Sequence, residues 1–255
     1  MCGVNTTPEV EVNLSCYSPV DVYTWLTDWM PCIAMDAALA TLKLSNMANT
    51  IRVQACVQFA AVRTDKPSAP SLVGNSLSSD NEYVISPTDY GLSASAPGNT
   101  YVRFGVACHV NTAPNTGKAD LAFQITMLQA GLLLPPWTGH PIVTDSTKVL
   151  VPVSGWLPAL GVKKVQPTVV IGDINGSYSM TMTYRTATAS PENPDAWDTT
   201  TGLGGAALST NTEINQGELV PTTTGKALIQ LGFWCTASGG VCQADVMVLF
   251  GIRCA

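Results

Sequence analysis

Charge is scarce in this sequence. Only 12% of its 255 residues are Asp, Glu, Lys or Arg, about half the share usual in globular proteins, which excludes coiled coils and charge-rich disordered tails. Cations are the scarcer sign, with 12 Lys and Arg against 18 Asp and Glu and a net charge of −6. Nucleic-acid affinity rests on neutralising phosphates, so a genome-binding arm is excluded. Histidine occurs only as His109 and His140. No Cys-x2-Cys or His-x3-His spacing is present, so zinc is not expected, nor is any other cofactor. The chain has no run of 18 apolar residues and no basic or apolar leader in Met1 to Asn5, so neither a membrane span nor a secretory signal is expected. Helical periodicity is nearly missing, with Met35 to Ala40 the one short candidate.

What is present is self-similarity. Sliding the chain by 127 positions brings Trp29-Met30-Pro31 onto Trp156-Leu157-Pro158, Gly105 onto Gly232 and Cys108 onto Cys235. After a shortening of two residues, Ala119 to Phe123 falls on Ala244 to Val248. The reading is a tandem duplication, with one domain at residues 1–134 and a second at 135–255, joined at Leu134-Pro135-Pro136-Trp137.

Alternation of period two identifies the contents of each copy. Ile51, Val53, Ala55, Val57 and Phe59 alternate, as do Val102, Phe104, Val106 and Cys108, and Leu121, Phe123, Ile125 and Met127. Their counterparts include Leu231, Phe233 and Cys235, and Val246, Val248, Phe250 and Ile252. Twenty-nine threonines suit such half-buried strands. The fold class is all-β, two tandem, duplicated antiparallel β-sandwiches of jelly-roll-like type. The expected cores contain Phe59, Phe104, Val106, Phe123 and Ile125 in one copy and Leu231, Phe233, Val248 and Phe250 in the other. Asn175-Gly176 reads as a hairpin turn.

Chemistry-bearing residues are few. Cys235 and Cys242 flank six residues at the ends of two strands, a spacing that permits a disulfide across a hairpin; burial as free thiols is the reading for Cys32, Cys56 and Cys108. Cys2 and Cys254, at the two extremes, are candidates for thiols that join neighbouring subunits. His109 has Thr236 as its counterpart and reads as a surface histidine. Asp120 and Asp245 are equivalent carboxylates at strand starts, not a pair facing one cleft. Gly202-x-Gly204-Gly205 lies in a polar loop and is not a dinucleotide fingerprint. Trp29 and Trp156 read as structural anchors and Trp197 as a binding residue. No catalytic residues are expected, and the chain reads as a non-enzyme.

Two long polar excursions, Thr64 to Asn99 and Ser190 to Thr224, diverge between the copies. Loops of such length are usually functional or ordered by a partner, so Leu72, Val73, Tyr83, Tyr90, Trp197 and Leu203 are expected at an interface. The whole-chain repeat resembles, at the level of class, the β-sandwich and jelly-roll proteins of virus particles, both capsid shell proteins and the decoration or cement proteins of phage heads. That resemblance implies a structural protein on the virion surface that stabilises a particle by protein contacts. Its partners would be itself, as a trimer or other symmetric oligomer, and other virion proteins, without direct nucleic acid or membrane contact. The alternative is a carbohydrate-binding or adhesive β-sandwich module.

Overall fold

The structure, a computed structural model, describes residues 3–32, 35–48, 50–85, 99–111, 116–129, 131–144, 147–200 and 202–254. Its contacts divide the chain into two compact units, with the second beginning at Gly131. The expected boundary at Leu134/Pro135 is therefore corrected. Gly131–Leu133 already pairs with the last strand of the second unit, and the buried Leu134 donates its N–H to the Phe250 carbonyl at 2.9 Å. The two prolines follow that first strand instead of separating the units.

The first unit contains β1 (Gly3–Thr6), β2 (Val10–Cys16), β3 (Val22–Trp25), β4 (Met30–Pro31), β5 (Met35–Ala48), β6 (Ile51–Ala60), β7 (Ser71–Leu77), β8 (Asn81–Ile85), β9 (Tyr101–Val110) and β10 (Gly117–Gln129). One sheet runs β8-β5-β10, with β1 and β2 in succession along the far side of β10; the other runs β7-β6-β9, with β3 and β4 along β9. All pairings are antiparallel. Leu42, Leu44, Phe123 and Ile125 of the first sheet share one core with Val53, Val57, Phe104 and Val106 of the second.

The second unit contains β11 (Gly131–Leu133), β12 (Trp137–Gly139), β13 (Ile142–Val143), β14 (Val149–Pro152), β15 (Leu157–Pro158), β16 (Val162–Asn175), β17 (Tyr178–Ala187), β18 (Thr212–Asn215), β19 (Leu228–Ala237) and β20 (Cys242–Cys254). One sheet runs β18-β16-β20, with β11, β12 and β13 along β20; the other runs β17-β19, with β14 and β15 along β19. β16, β17 and β19 start at Val162, Tyr178 and Leu228, each 127 positions after the starts of β5, β6 and β9 at Met35, Ile51 and Tyr101. The correspondence reaches single hydrogen bonds. Cys32 N–H to Thr100 C=O and Ala159 N–H to Ala227 C=O are both 2.8 Å, and Thr27 Oγ1 and Ser154 Oγ accept from Phe104 N–H and Leu231 N–H.

Two local expectations are overturned. Met35 to Ala40 is the start of strand β5, because Ala38, Ala40, Leu42 and Leu44 all turn into the core while Leu39 faces out; packing overrides the helical preference of alanine. Asn175-Gly176 does not close a hairpin, since β16 and β17 belong to different sheets. Gly176, at φ 85°, instead carries the chain across the sandwich. Just before it, Asp173 at φ 48° sits where the β16/β20 register slips, and Asn46 at φ 54° sits at the matching slip of β5 against β10. Asn and Asp tolerate this left-handed backbone best among residues with a side chain, so each bulge is placed by a short polar residue.

Of the expected core residues, Phe104, Val106, Phe123, Ile125, Leu231, Phe233, Val248 and Phe250 are buried, and Phe59 is half-buried against the same core. Phe104→Ala or Phe233→Ala should cost about 3–5 kcal/mol, read as a fall in the urea midpoint at unchanged slope. A loss below about 1 kcal/mol would show that the ring does not fill a core.

Candidate functional site

Strand β3 forms one edge of its sheet, pairing only with β9 among the described residues. Register places Val22 opposite Cys108, Tyr23 opposite Ala107, Thr24 opposite Val106 and Trp25 opposite Gly105. Tyr23 and Trp25 thus share the outer face with Arg103 and His109. The strand is anchored at its start by Asp21, whose Oδ1 lies 2.8 Å from His109 Nδ1. It ends where Leu26 N–H and Thr27 N–H both turn onto the Phe104 carbonyl. Tyr17, Val20, Val22 and Tyr23 are 69, 70, 43 and 37% exposed, so four large apolar side chains stand in solvent within seven residues of chain. Neither proline nor a charged residue occurs in Val22–Trp25, although these are the usual guards of an open edge. The edge strand β14 of the second unit has both kinds of guard: it ends in Pro152, and Lys148 precedes it.

Behind β3 an arginine is clasped between two indoles. The Arg103 guanidinium carbon lies 4.1 Å from the Trp25 ring and 4.6 Å from the Trp29 ring, and Nε donates to Gln58 Oε1 at 2.9 Å. The second unit builds the same clasp from different positions. Arg185 lies 5.1 Å from Trp156 and 4.9 Å from Trp197, and its Nε donates to Gln230 Oε1 at 2.9 Å. Gln58 faces Arg103 across β6 and β9, and Arg185 faces Gln230 across β17 and β19, so arginine and glutamine have exchanged strands. Trp29 and Trp156 are equivalent, but Trp197 comes from the long loop and replaces Trp25. Asp195 N–H to Thr186 C=O at 2.8 Å and Asp198 N–H to Tyr184 C=O at 3.0 Å lay that loop on β17. Such cation–aromatic contacts contribute about 0.5–1 kcal/mol each at exposed positions and more when desolvated.

Each unit also has a shallow depression at the bulge. One, of about 510 Å³, is lined by Glu9, Glu11, Lys43, Ser45 and Asp120; the other, of about 430 Å³, by Thr138, His140, Val170, Asp173 and Asp245. Asp120 Oδ2 accepts from Asn46 Nδ2 at 2.6 Å, and Asp245 Oδ1 lies 2.5 Å from His140 Nδ1. The two equivalent carboxylates are thus tied in different units. Among the described residues no three His, Cys, Asp or Glu side chains are grouped to hold a metal.

The expected site residues fare unevenly. Cys235 and Cys242 are buried free thiols on β19 and β20, which lie in opposite sheets, so the expected disulfide is corrected. Cys235 instead meets the Tyr178 hydroxyl at 2.8 Å. Burial pushes the Cys32, Cys56, Cys108 and Cys235 thiols up to about 12, which keeps them protonated and poor nucleophiles at neutral pH. Cys2 lies outside the described residues, as does the side chain of Cys254. Several residues expected at an interface make contacts within their own unit. Val73 and Leu203 are buried in the cores of their own units, Tyr83 packs against the first core, and Trp197 is spent on Arg185. Leu72 is exposed and Tyr90 lies outside the described residues. A short strand near Val20 to Leu26 is expected from the sequence and is found as β3; its place at an open edge was not foreseen, and the signal for it was the exposed apolar cluster from Tyr17 to Tyr23.

No family model matches this sequence, and no curated protein does. Among solved structures, it is similar to a chain of infectious bursal disease virus, Gx strain, at 8% identity and TM-score 0.38, over 100% of this chain and 43% of that one. It is also similar to the PBSX exported protein XepA, at 7% identity and TM-score 0.29, over 94% and 86% of the two chains. A third likeness is to the major capsid protein P2 of bacteriophage PM2, at 9% identity and TM-score 0.23, over 96% and 98%. The chain spans less than half the length of the bursal disease virus protein.

The clasps explain the matched glycines. A Cβ at Gly105 would lie 2.4 Å from the Thr24 carbonyl oxygen and 2.9 Å from the Trp25 ring; at Gly232 it would lie 2.5 Å from the Val151 carbonyl oxygen and 3.0 Å from Trp197. Each glycine is the slot over which an indole lies. Gly105→Ala and Gly232→Ala should each destabilise by about 1–3 kcal/mol and shift tryptophan emission, measured by thermal unfolding and fluorescence. Unchanged stability and emission would show that the slot is not needed.

Proposed function

We propose that this chain is a structural protein of a virus particle, a shell or a capsid decoration or cement protein, that acts by protein contact rather than by catalysis. The matching strand orders and hydrogen bonds support reading the units as duplicated jelly rolls. Two similar units per chain favour a closed trimer that presents six sandwiches, with other virion proteins as further partners. A place on the particle surface, away from nucleic acid and membrane, suits the net charge of −6. Several of the few cations are also already engaged, Arg103 and Arg185 in the clasps and Lys164 and Arg253 on Glu218.

The observation that carries this reading is the open edge of β3. Copies of an acidic chain repel at long range, so a contact between copies belongs where charge is lowest. From Val22 to Leu26 there is no charged residue, and Asp21 is held by His109. An edge strand of a second copy laid on β3 would satisfy its outward backbone groups and cover the exposed apolar side chains.

A second reading has one observation in its favour. Tyr23 and Trp25 form a near-parallel stacked pair with ring centroids 6.1 Å apart and planes 8° from parallel, aromatic surface of the kind that meets a sugar ring in a carbohydrate-binding module.

Native mass spectrometry of the full chain separates the two. The wild type should form a discrete oligomer, and the double substitution Val22→Lys, Tyr23→Lys should weaken association by at least about tenfold, as expected for charges placed on an edge contact. A wild-type monomer, or a variant that assembles as well as the wild type, would overturn the assembly reading. Saturable oligosaccharide binding that Trp25→Ala abolishes would establish the carbohydrate-binding reading instead.

A further inference from the structure

The thiol of Cys16 reaches the backbone of Cys108 across the first sandwich. Cys16 closes β2 in one sheet, and Cys108 lies on the inner face of β9 in the other. Their exposures are 1 and 2%. Cys16 Sγ donates to the Cys108 carbonyl oxygen at 3.2 Å and lies 3.7 Å from the Ser18 carbonyl oxygen, and burial, with the neighbouring Cys16 thiol adding to it, pushes the Cys108 thiol up. The chain is held there on both sides. Val110 N–H donates to the Ser18 carbonyl at 3.0 Å, and Val22 is the register partner of Cys108. The segment from Cys16 to Val22 thus leaves one sheet and joins the other beside Cys108.

The second unit serves as an internal control. Position 143, equivalent to 16, is valine, fully buried, and Cys235, equivalent to 108, turns its thiol to the Tyr178 hydroxyl. The corner therefore packs without a second sulfur, and the Cys16 thiol answers no packing need that a valine does not meet.

We propose that Cys16 and Cys108 are a dithiol that closes to a disulfide joining the two sheets of the first unit, with a low-molecular-weight disulfide such as glutathione disulfide as oxidant. One cysteine thiolate attacks a sulfur of glutathione disulfide, which forms a mixed disulfide and releases one glutathione thiolate. The second cysteine thiolate then attacks the protein sulfur of that mixed disulfide, the protein S–S bond forms, and the second glutathione leaves. The two protons lost by the cysteines end on the two glutathione thiols, and the two electrons reduce the oxidant. Because both sulfurs are buried, exchange proceeds through an opened state in which residues 16–22 lift from β9, or during folding. Native protein should therefore oxidise slowly, and protein refolded with the oxidant should oxidise fully.

The bond spans 92 residues of chain, a long loop whose closure restricts the unfolded state strongly. Full-length protein refolded with glutathione disulfide should lose the mass of two hydrogen atoms and yield one cross-linked peptide pair containing Cys16 and Cys108. Its thermal midpoint should rise by roughly 10 °C and return on reduction. Cys16→Val, which copies the second unit, should fold and show neither the mass change nor the shift. A stable glutathione adduct, a cross-link between other cysteines, no mass change at all, or a Cys16→Val midpoint that still responds to oxidant would each overturn the proposal.

Discussion

Long strands that follow one another closely in this chain lie in opposite sheets. β5 and β6 are separated by two residues, as are β16 and β17, yet each passes from one sheet to the other, and so do β9 to β10 and β19 to β20. Every long pairing is therefore between strands distant in sequence: β5 with β10, β6 with β9, β16 with β20 and β17 with β19. The other features follow from this crossing. The core is closed by strand reversal rather than by hairpins, and a bulge with a left-handed Asn46 or Asp173 precedes each tight corner to turn the strand out of its sheet. Folding must wait for long-range contacts, which carry a large loop-closure cost.

The same crossing decides what the sequence reveals. Alternation in β6, β9, β10 and their counterparts depends on one face being buried, so those strands and most of their core residues were legible. The period of 127 was legible because it preserves whole strand lengths. Pairing was not, because closeness along the chain does not predict closeness within a sheet. Cys235 and Cys242 looked like hairpin neighbours for that reason and stand in opposite sheets, and Asn175-Gly176 looked like a hairpin turn and is a sheet-to-sheet corner. Met35 to Ala40 carried a local alanine signal that lost to burial of its alternate side chains.

The long loops show a further limit. Their polar composition suggested exposure, but a loop needs only a few apolar residues to dock. Val73 and Leu203 supply them, with Leu208 and Leu219 adding backbone bridges to β17 and β16. Trp197 is the clearest case. No counterpart exists for it at the 127 offset, so it read as a binding residue, whereas the structure puts it where Trp25 lies in the other unit. The clasp is met by geometry rather than by position: cross-strand neighbours on one face reach the same space, so arginine serves from either strand and glutamine from the other.

Where two units share their sheets, corners, clasps and glycine slots, what they share answers to folding, and what distinguishes them is free to serve a task. The depressions differ, but Asp120 and Asp245 are each tied within their own unit. The edges differ more sharply. In the second unit Lys148 is drawn over the Trp234 ring at 4.5 Å, and Pro152 removes a backbone donor from β14, both of which hinder strand addition. In the first unit the corresponding residues are Asp21, held at 2.8 Å by His109, and Trp25, lying over Gly105. The same edge is thus blocked in one unit and open in the other. An open edge with exposed apolar side chains is a liability that a protein acting alone would be expected to guard, as its own second unit does; leaving it bare in one unit only is the arrangement expected if a second chain covers it.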